Sequence, residues 1–132
     1  MKIVLDANIF ISAFFWGGNP RSVLERTISK LDELFFTKEI LDEVEGVIDR
    51  PKFHTGKNET EYYIKSIEEI GTKVVTKSRV KRSRDKTDNK YIECGIAGSV
   101  DYIISGDVHL LEIKEYDNIK IVSAKEYLKI VN

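Results

Sequence analysis

The chain has 132 residues, 42% hydrophobic and 33% charged, with a net charge of −1. That length suits one domain with a single buried core, and the balance of apolar and charged residues excludes a disordered or low-complexity chain. The near-neutral charge excludes a broadly basic nucleic-acid coat, so any affinity for nucleic acid must come from a local patch or a bound metal.

Lys2–Leu5 reads as a short buried strand that stops at Asp6. Asn8–Phe15 then begins a helix, which Trp16-Gly17-Gly18 breaks. Asn19 suits an N-cap with Pro20 at the first helical position, and a helix runs to about Lys30. Leu34–Phe36 is a second strand. Thr37 caps a helix over Lys38–Asp49, whose apolar stripe is Ile40, Leu41, Val44, Val47 and Ile48, and Pro51 stops it. Phe53–Glu59 reads as loop, with Thr60 as the N-cap of a helix over Glu61–Ile70 that Gly71 ends. Lys73–Val75 is a third strand, and the basic stretch 77–86 is a loop. Thr87–Ala97 is a helix with Tyr91, Ile92, Cys94 and Gly95 available for packing. Tyr102–Ile104 is a fourth strand, Val108–Leu111 a helical turn and Ile119–Val122 a fifth strand. Ser123 caps a last helix over Ala124–Val131.

Strands and helices alternate throughout, with no internal repeat and no linker. The pattern predicts an α/β fold, a three-layer α/β/α sandwich whose central parallel sheet has about five strands, forming a single domain over residues 1–132. The one cysteine, Cys94, excludes an internal disulfide and suits a reducing compartment. The apolar run before Asp6 is too short for a signal peptide or a membrane span, and no other stretch reaches membrane length. The cytoplasm is the expected location, with no membrane partner.

Active sites of open parallel sheets form beyond the carboxyl ends of the strands. Asp6 directly follows the first strand, and Asp107 follows the fourth after Ser105-Gly106. Asp88 opens the helix that leads into the fourth strand, and Glu43 lies inside the helix after the second. Each has a local explanation as well: Asp6 and Asp107 as turn or cap residues, Asp88 as an acid favoured at a helix N-terminus, Glu43 as a solvated position flanked by Asp42 and Glu45. Periodicity does not choose among those three acids. The joint placement of Asp6, Glu43, Asp88 and Asp107 is the stronger signal. Two like charges ~4 Å apart repel by about 4 kcal/mol at an effective dielectric of 20. Four converging carboxylates therefore require protonation or a cation, and oxygen-only ligands suit Mg²⁺ or Mn²⁺. Zinc is disfavoured, because His54 and His109 lack zinc spacing and Cys94 has no partner.

Around these acids, Asn8 and Ser105 are polar neighbours suited to orienting Asp6 and Asp107 or touching phosphate, although Asn8 also reads as a plain N-cap. Arg79, Lys81, Arg82, Arg84 and Lys86, with Lys77, form the densest basic run. It reads either as a solvated loop or as a grip on an RNA backbone that Lys38, Arg50 and Lys52 would extend. Phe15 and Trp16 read as core or subunit-interface residues rather than base-stacking platforms.

The sequence resembles the PIN-domain family at three places. Met1–Phe10 (MKIVLDANIF) resembles its opening strand and first acid. Thr37–Glu43 (TKEILDE), followed by Arg50-Pro51-Lys52-Phe53, resembles the helix with its characteristic glutamate and singles out Glu43. Asp85–Lys90 (DKTDNK), running into Ala97-Gly98 and Asp101–Asp107 (DYIISGD), resembles its third and fourth acidic sites. The likeness is closest to the toxin components of toxin–antitoxin pairs. It implies a PIN-like fold of about five parallel strands, and Mg²⁺- or Mn²⁺-dependent cleavage of single-stranded RNA. It also implies an antitoxin protein as partner and, often, a homodimer. One position departs: where the family often has a second aspartate two residues after the fourth acid, this chain has His109. That puts the number of metals in question and leaves His109 either structural or close to the metal.

Two other α/β enzyme classes place an aspartate after the first strand. A haloacid-dehalogenase-type phosphatase needs a second acid two residues on, where this chain has Asn8. A response-regulator receiver needs paired acids at the end of the first strand, and these are absent. A catalytically inert RNA- or protein-binding module on the same fold is the remaining alternative.

Overall fold

The computed structural model describes residues 1–76 and 89–132. Its elements in chain order are β1 (Lys2–Leu5), α1 (Ala7–Phe15), α2 (Gly18–Ile28), β2 (Glu33–Phe36), α3 (Lys38–Ile48), a 3-10 turn (Pro51–Phe53), α4 (Lys57–Ile70), β3 (Thr72–Lys73), α5 (Asn89–Gly98), β4 (Tyr102–Ile104), α6 (Val108–Ile113), β5 (Glu115–Tyr116), β6 (Ile119–Val122) and α7 (Ala124–Val131). The six described strands form one sheet in the order β3-β2-β1-β4-β6-β5. All neighbours are parallel except β5 and β6.

The central strands are apolar on both faces, as a doubly covered parallel sheet demands. Ile3, Val4, Leu5, Leu34, Phe36, Ile103 and Ile104 are all buried. Right-handed crossovers carry α1 to α4 over one face as the chain steps from β1 to β2 to β3, and α7 returns to pack on α2. The step from β3 across to β4 puts α5 on the other face, against β1, β2 and β4. α5 sits very close: a Cβ on Gly98 would stand 2.9 Å from the Phe35 ring of β2. Only glycine permits that approach, which fixes where α5 ends over the central strands.

Several local expectations change. α2 starts at Gly18 with Gly17 as N-cap at φ 88°, not at Asn19. The left-handed backbone at Gly17 opens the helix two residues before Pro20, whose missing N–H still falls in the first turn where no intrahelical partner exists. α4 starts at Lys57, capped by Gly56, so Thr60 is not the cap. It lies inside the first turn, where its hydroxyl donates to Asp49 Oδ1 at 3.0 Å. β3 is Thr72–Lys73 rather than Lys73–Val75, pairing with Phe35 and Phe36. The sheet gains a sixth, antiparallel strand. Asp117 and Asn118 take φ of 48° and 66°, the pair of positive values that a two-residue hairpin turn needs, and they fold β5 back onto β6.

Candidate functional site

β1 and β4 are neighbours at the middle of the sheet, yet the chain leaves them in opposite directions, β1 towards β2 and β4 towards β6. Such a switch point opens a crevice beyond the carboxyl ends of the strands, where parallel sheets bind ligands. Asp6 closes β1 at one lip, and Ser105-Gly106-Asp107 closes β4 at the other.

Asp6 is 3% exposed. Its Oδ1 accepts from the Ile9 backbone N–H at 2.9 Å, which makes it the N-cap of α1. Its Oδ2 accepts from the Ser105 hydroxyl and from the Gly106 N–H. Burial is the largest influence on its carboxyl and pushes the pKa above the usual carboxylate value. The Ser105 hydroxyl and the Ile9 and Gly106 amides pull the other way, and the charge of Glu43 adds to the rise.

Asp107 is the N-cap of α6, accepting from the His109 backbone N–H at 2.7 Å. Its own backbone N–H donates to Ser105 Oγ at 2.9 Å. The buried Ser105 hydroxyl thus stands between the two acids, donating to one and accepting from the other's backbone. His109 is exposed, and the bond it makes here comes from its backbone. Asn8 is exposed in the first turn of α1; the cap is Asp6.

On α3 the flanking acids Asp42 and Glu45 are exposed, and Asp42 pairs with Lys38 at 3.4 Å. Glu43 is half-buried and turns inward. Its Oε1 accepts from the Tyr91 hydroxyl and lies 3.1 Å from Lys90 Nζ. The same Tyr91 oxygen accepts from the Ala7 backbone N–H at 3.0 Å. Burial pushes the Tyr91 phenol well up, and the Glu43 carboxylate adds to it, so the hydroxyl keeps its proton and remains a donor to Glu43. One phenol therefore ties the first turn of α1, next to Asp6, to Glu43 on α3.

Neither Tyr91 nor Lys90 belonged to the site as read from the sequence; Tyr91 counted as packing. Their contacts span 48 and 84 positions for Tyr91, a separation no local pattern encodes. The usable signal was adjacency, since Asn89-Lys90-Tyr91 directly follows the candidate acid Asp88.

Asp88 and the basic residues Arg79, Lys81, Arg82, Arg84 and Lys86 lie outside the described residues. Among the described residues, no three Asp, Glu, His or Cys side chains are gathered closely enough to hold one ion. The described chain brings Asp6 and Glu43 into electrostatic reach and joins Asp107 to Asp6 through Ser105. The donors are all carboxylate or hydroxyl oxygens, and Asp6 Oδ1 retains acceptor capacity beyond its Ile9 bond. That chemistry fits a hard divalent cation. Cys94 takes no part: it is buried, and burial pushes its thiol up to about 12.

Two further features lie away from this crevice. Trp16 is 68% exposed, so it is no core residue; it stands beside Phe15 and Phe53, with the Tyr63 ring tilted against Phe15. A cavity of about 780 Å³ opens at the amino edge of the sheet, beside Met1, Asp32 and Asp101, and collects none of the candidate acids.

A family model for the PIN domain matches residues 2–109, a span that takes in Asp6, Glu43, Ser105 and Asp107. No curated protein matches the chain. PIN domains are generally nucleases, and as nucleases they usually use divalent metals. Among the described residues, no helix is long and apolar enough to cross a membrane.

Proposed function

The chain belongs to the PIN-domain family, and on that premise we propose that it is a metal-dependent endoribonuclease acting on single-stranded RNA, the toxin component of a toxin–antitoxin pair. The observation that carries the nuclease reading is the buried Asp6 carboxylate at the β1/β4 switch point, with Glu43 close enough to raise its pKa. A carboxylate that burial and a like charge both disfavour is one that a cation would stabilise.

In this proposal Asp6, Glu43, Asp88 and Asp107 hold Mg²⁺ or Mn²⁺. Bound there, the metal would lower the pKa of water and neutralise charge on the scissile phosphate. Ser105 fixes the orientation of Asp6, and Tyr91 fixes that of Glu43, so the two carboxylates keep their spacing without moving side chains at the moment of reaction. Asn8 and His109, exposed at the mouth, face the approaching substrate. Arg79, Lys81, Arg82, Arg84 and Lys86 grip the RNA backbone, which positions RNA without selecting its sequence. The antitoxin partner and a homodimer belong to the same proposal.

A second reading, a binding module that does not cleave, draws on one observation: His109 stands where the family often has a second aspartate after Asp107. One experiment separates the two. Labelled single-stranded RNAs are incubated with the protein in Mg²⁺, Mn²⁺ or EDTA, beside a folded Asp6→Asn variant. The nuclease reading expects cleavage that needs the metal and vanishes in the variant. RNA retained intact by the wild type, with or without metal, leaves the binding module standing.

A further inference from the structure

Lysine is rarely buried unless its charge is paired. The Lys90 side chain is only 17% exposed, and its ammonium is held at two points: 3.1 Å from Glu43 Oε1, and over the Tyr91 ring at 5.6 Å from the centroid. The carboxylate it meets is a candidate metal ligand, and it accepts the Tyr91 hydroxyl on the same oxygen. An ammonium therefore already occupies the carboxylate that a hard divalent ion would need, and the two cations compete for it. A divalent charge within a few ångströms of an ammonium is repelled at a half-buried site, so metal on Glu43 disfavours Lys90 beside it.

We propose that Lys90 is a resident cation of the acidic crevice, and that a divalent metal enters by displacing it from Glu43. This rests on the metal-dependent reading above and adds a residue to it. Without metal, Lys90 balances the Glu43 carboxylate and keeps it in place. With metal, the ammonium leaves Glu43 but stays beside the crevice, where its remaining attraction is for anions such as an RNA phosphate. Tyr91 is the fixed post in both states, since its bond to Glu43 does not depend on which cation is present. Lys90 is thus a positioning residue whose charge sets how tightly the site takes metal.

The test is calorimetric titration of the full chain with Mn²⁺, with melting curves in EDTA and in saturating Mn²⁺, for the wild type, Lys90→Met, Lys90→Arg and Glu43→Gln/Lys90→Met. Exchange expects Lys90→Met to bind Mn²⁺ on the order of ten-fold more tightly, and Lys90→Arg to stay near the wild type. In EDTA, Lys90→Met should melt roughly 3–5 °C lower. The double variant should recover that loss, and saturating Mn²⁺ should remove it. A lysine that serves only to brace Glu43 makes the opposite prediction, weaker Mn²⁺ binding by Lys90→Met. Equal or weaker binding by that variant, with the wild type still binding, overturns the exchange alone. A wild type that takes up no Mn²⁺ overturns the exchange together with the metal reading beneath it.

Discussion

Two aspartates are buried almost equally at opposite ends of the same sheet, Asp6 at 3% and Asp32 at 4% exposure, and their carboxyls are shifted in opposite directions. Asp32 stands at the amino edge, just before β2. Burial pushes its pKa up, but the Arg26 guanidinium and the N-terminal ammonium more than offset this and hold it below the usual value. Arg26 grips both its oxygens, Nε at 2.7 Å from Oδ2 and Nη2 at 3.3 Å from Oδ1, and the Met1 ammonium adds a contact at 3.3 Å. Asp6, at the carboxyl edge, meets no cation among the described residues. It has neutral donors and a like charge in Glu43, and its pKa is raised. The difference separates an acid that is satisfied by the fold from one that the fold leaves in need of a counter-ion. The first stabilises; the second is where a ligand gains most from binding.

Exchanging each acid sharpens the contrast. Asp6→Asn should abolish metal-dependent RNA cleavage, by at least about 10³-fold, while its melting temperature stays level or rises, a gain of up to about 1 kcal/mol from removing a disfavoured buried charge. A variant that loses stability along with activity would put Asp6 in the same class as Asp32. Asp32→Ala should do the reverse. It strands Arg26, which is partly exposed, and should cost about 2–3 kcal/mol in denaturant melts, with little change in RNA cleavage per folded molecule.

Tyr91→Phe tests the tie between the lips of the crevice. It keeps the ring but leaves the Ala7 N–H without its acceptor and Glu43 Oε1 with Lys90 as its remaining contact, so a loss of about 1–2 kcal/mol is expected. Mn²⁺ affinity should fall with it; affinity unchanged at that stability cost would reduce Tyr91 to a packing residue.

The smallest expected effect is in the pH dependence of stability. The folded pKa of Asp6 is raised, so folding takes up a proton there, and stability falls as pH climbs from about 3.9 to the raised value. Asp32 is lowered, so its contribution is present above about 3.9 and is lost as pH falls through its folded pKa. Metal-free Asp6→Asn should therefore lose the decline on the rising side and keep the acid-side loss. Asp32→Asn should lose the acid-side step instead. Urea melts across acidic pH for both variants check the two signs.

Much of the fold was readable because its signals are local. β1, β4, β6 and α7 have the expected bounds, since short apolar runs and a Ser or Thr cap announce themselves within a few residues. The strand order was not readable, because parallel neighbours are set by crossovers rather than by any one segment. The α2 start was misplaced because Gly17, at φ 88°, opens the helix earlier than an Asn-Pro pair suggests. Asp117-Asn118 was a hairpin signal of the ordinary kind, overlooked because β5 is only two residues long. In the site, the approach of Glu43 to Asp6 depends on Tyr91, whose partners are far away in sequence. The amphipathic pattern of α5 reports its burial but not what its hydroxyl meets.

Both outer strands of the described sheet, β3 and β5, are two residues long, and both are exposed or half-buried positions that include Lys73 and Glu115. A foreign strand laid against either border would find barely two residues of ladder, beside a charged side chain. The described sheet is therefore a poor template for its own propagation, and the apolar centre beneath the acidic crevice can be built without offering a seed for aggregation along these margins.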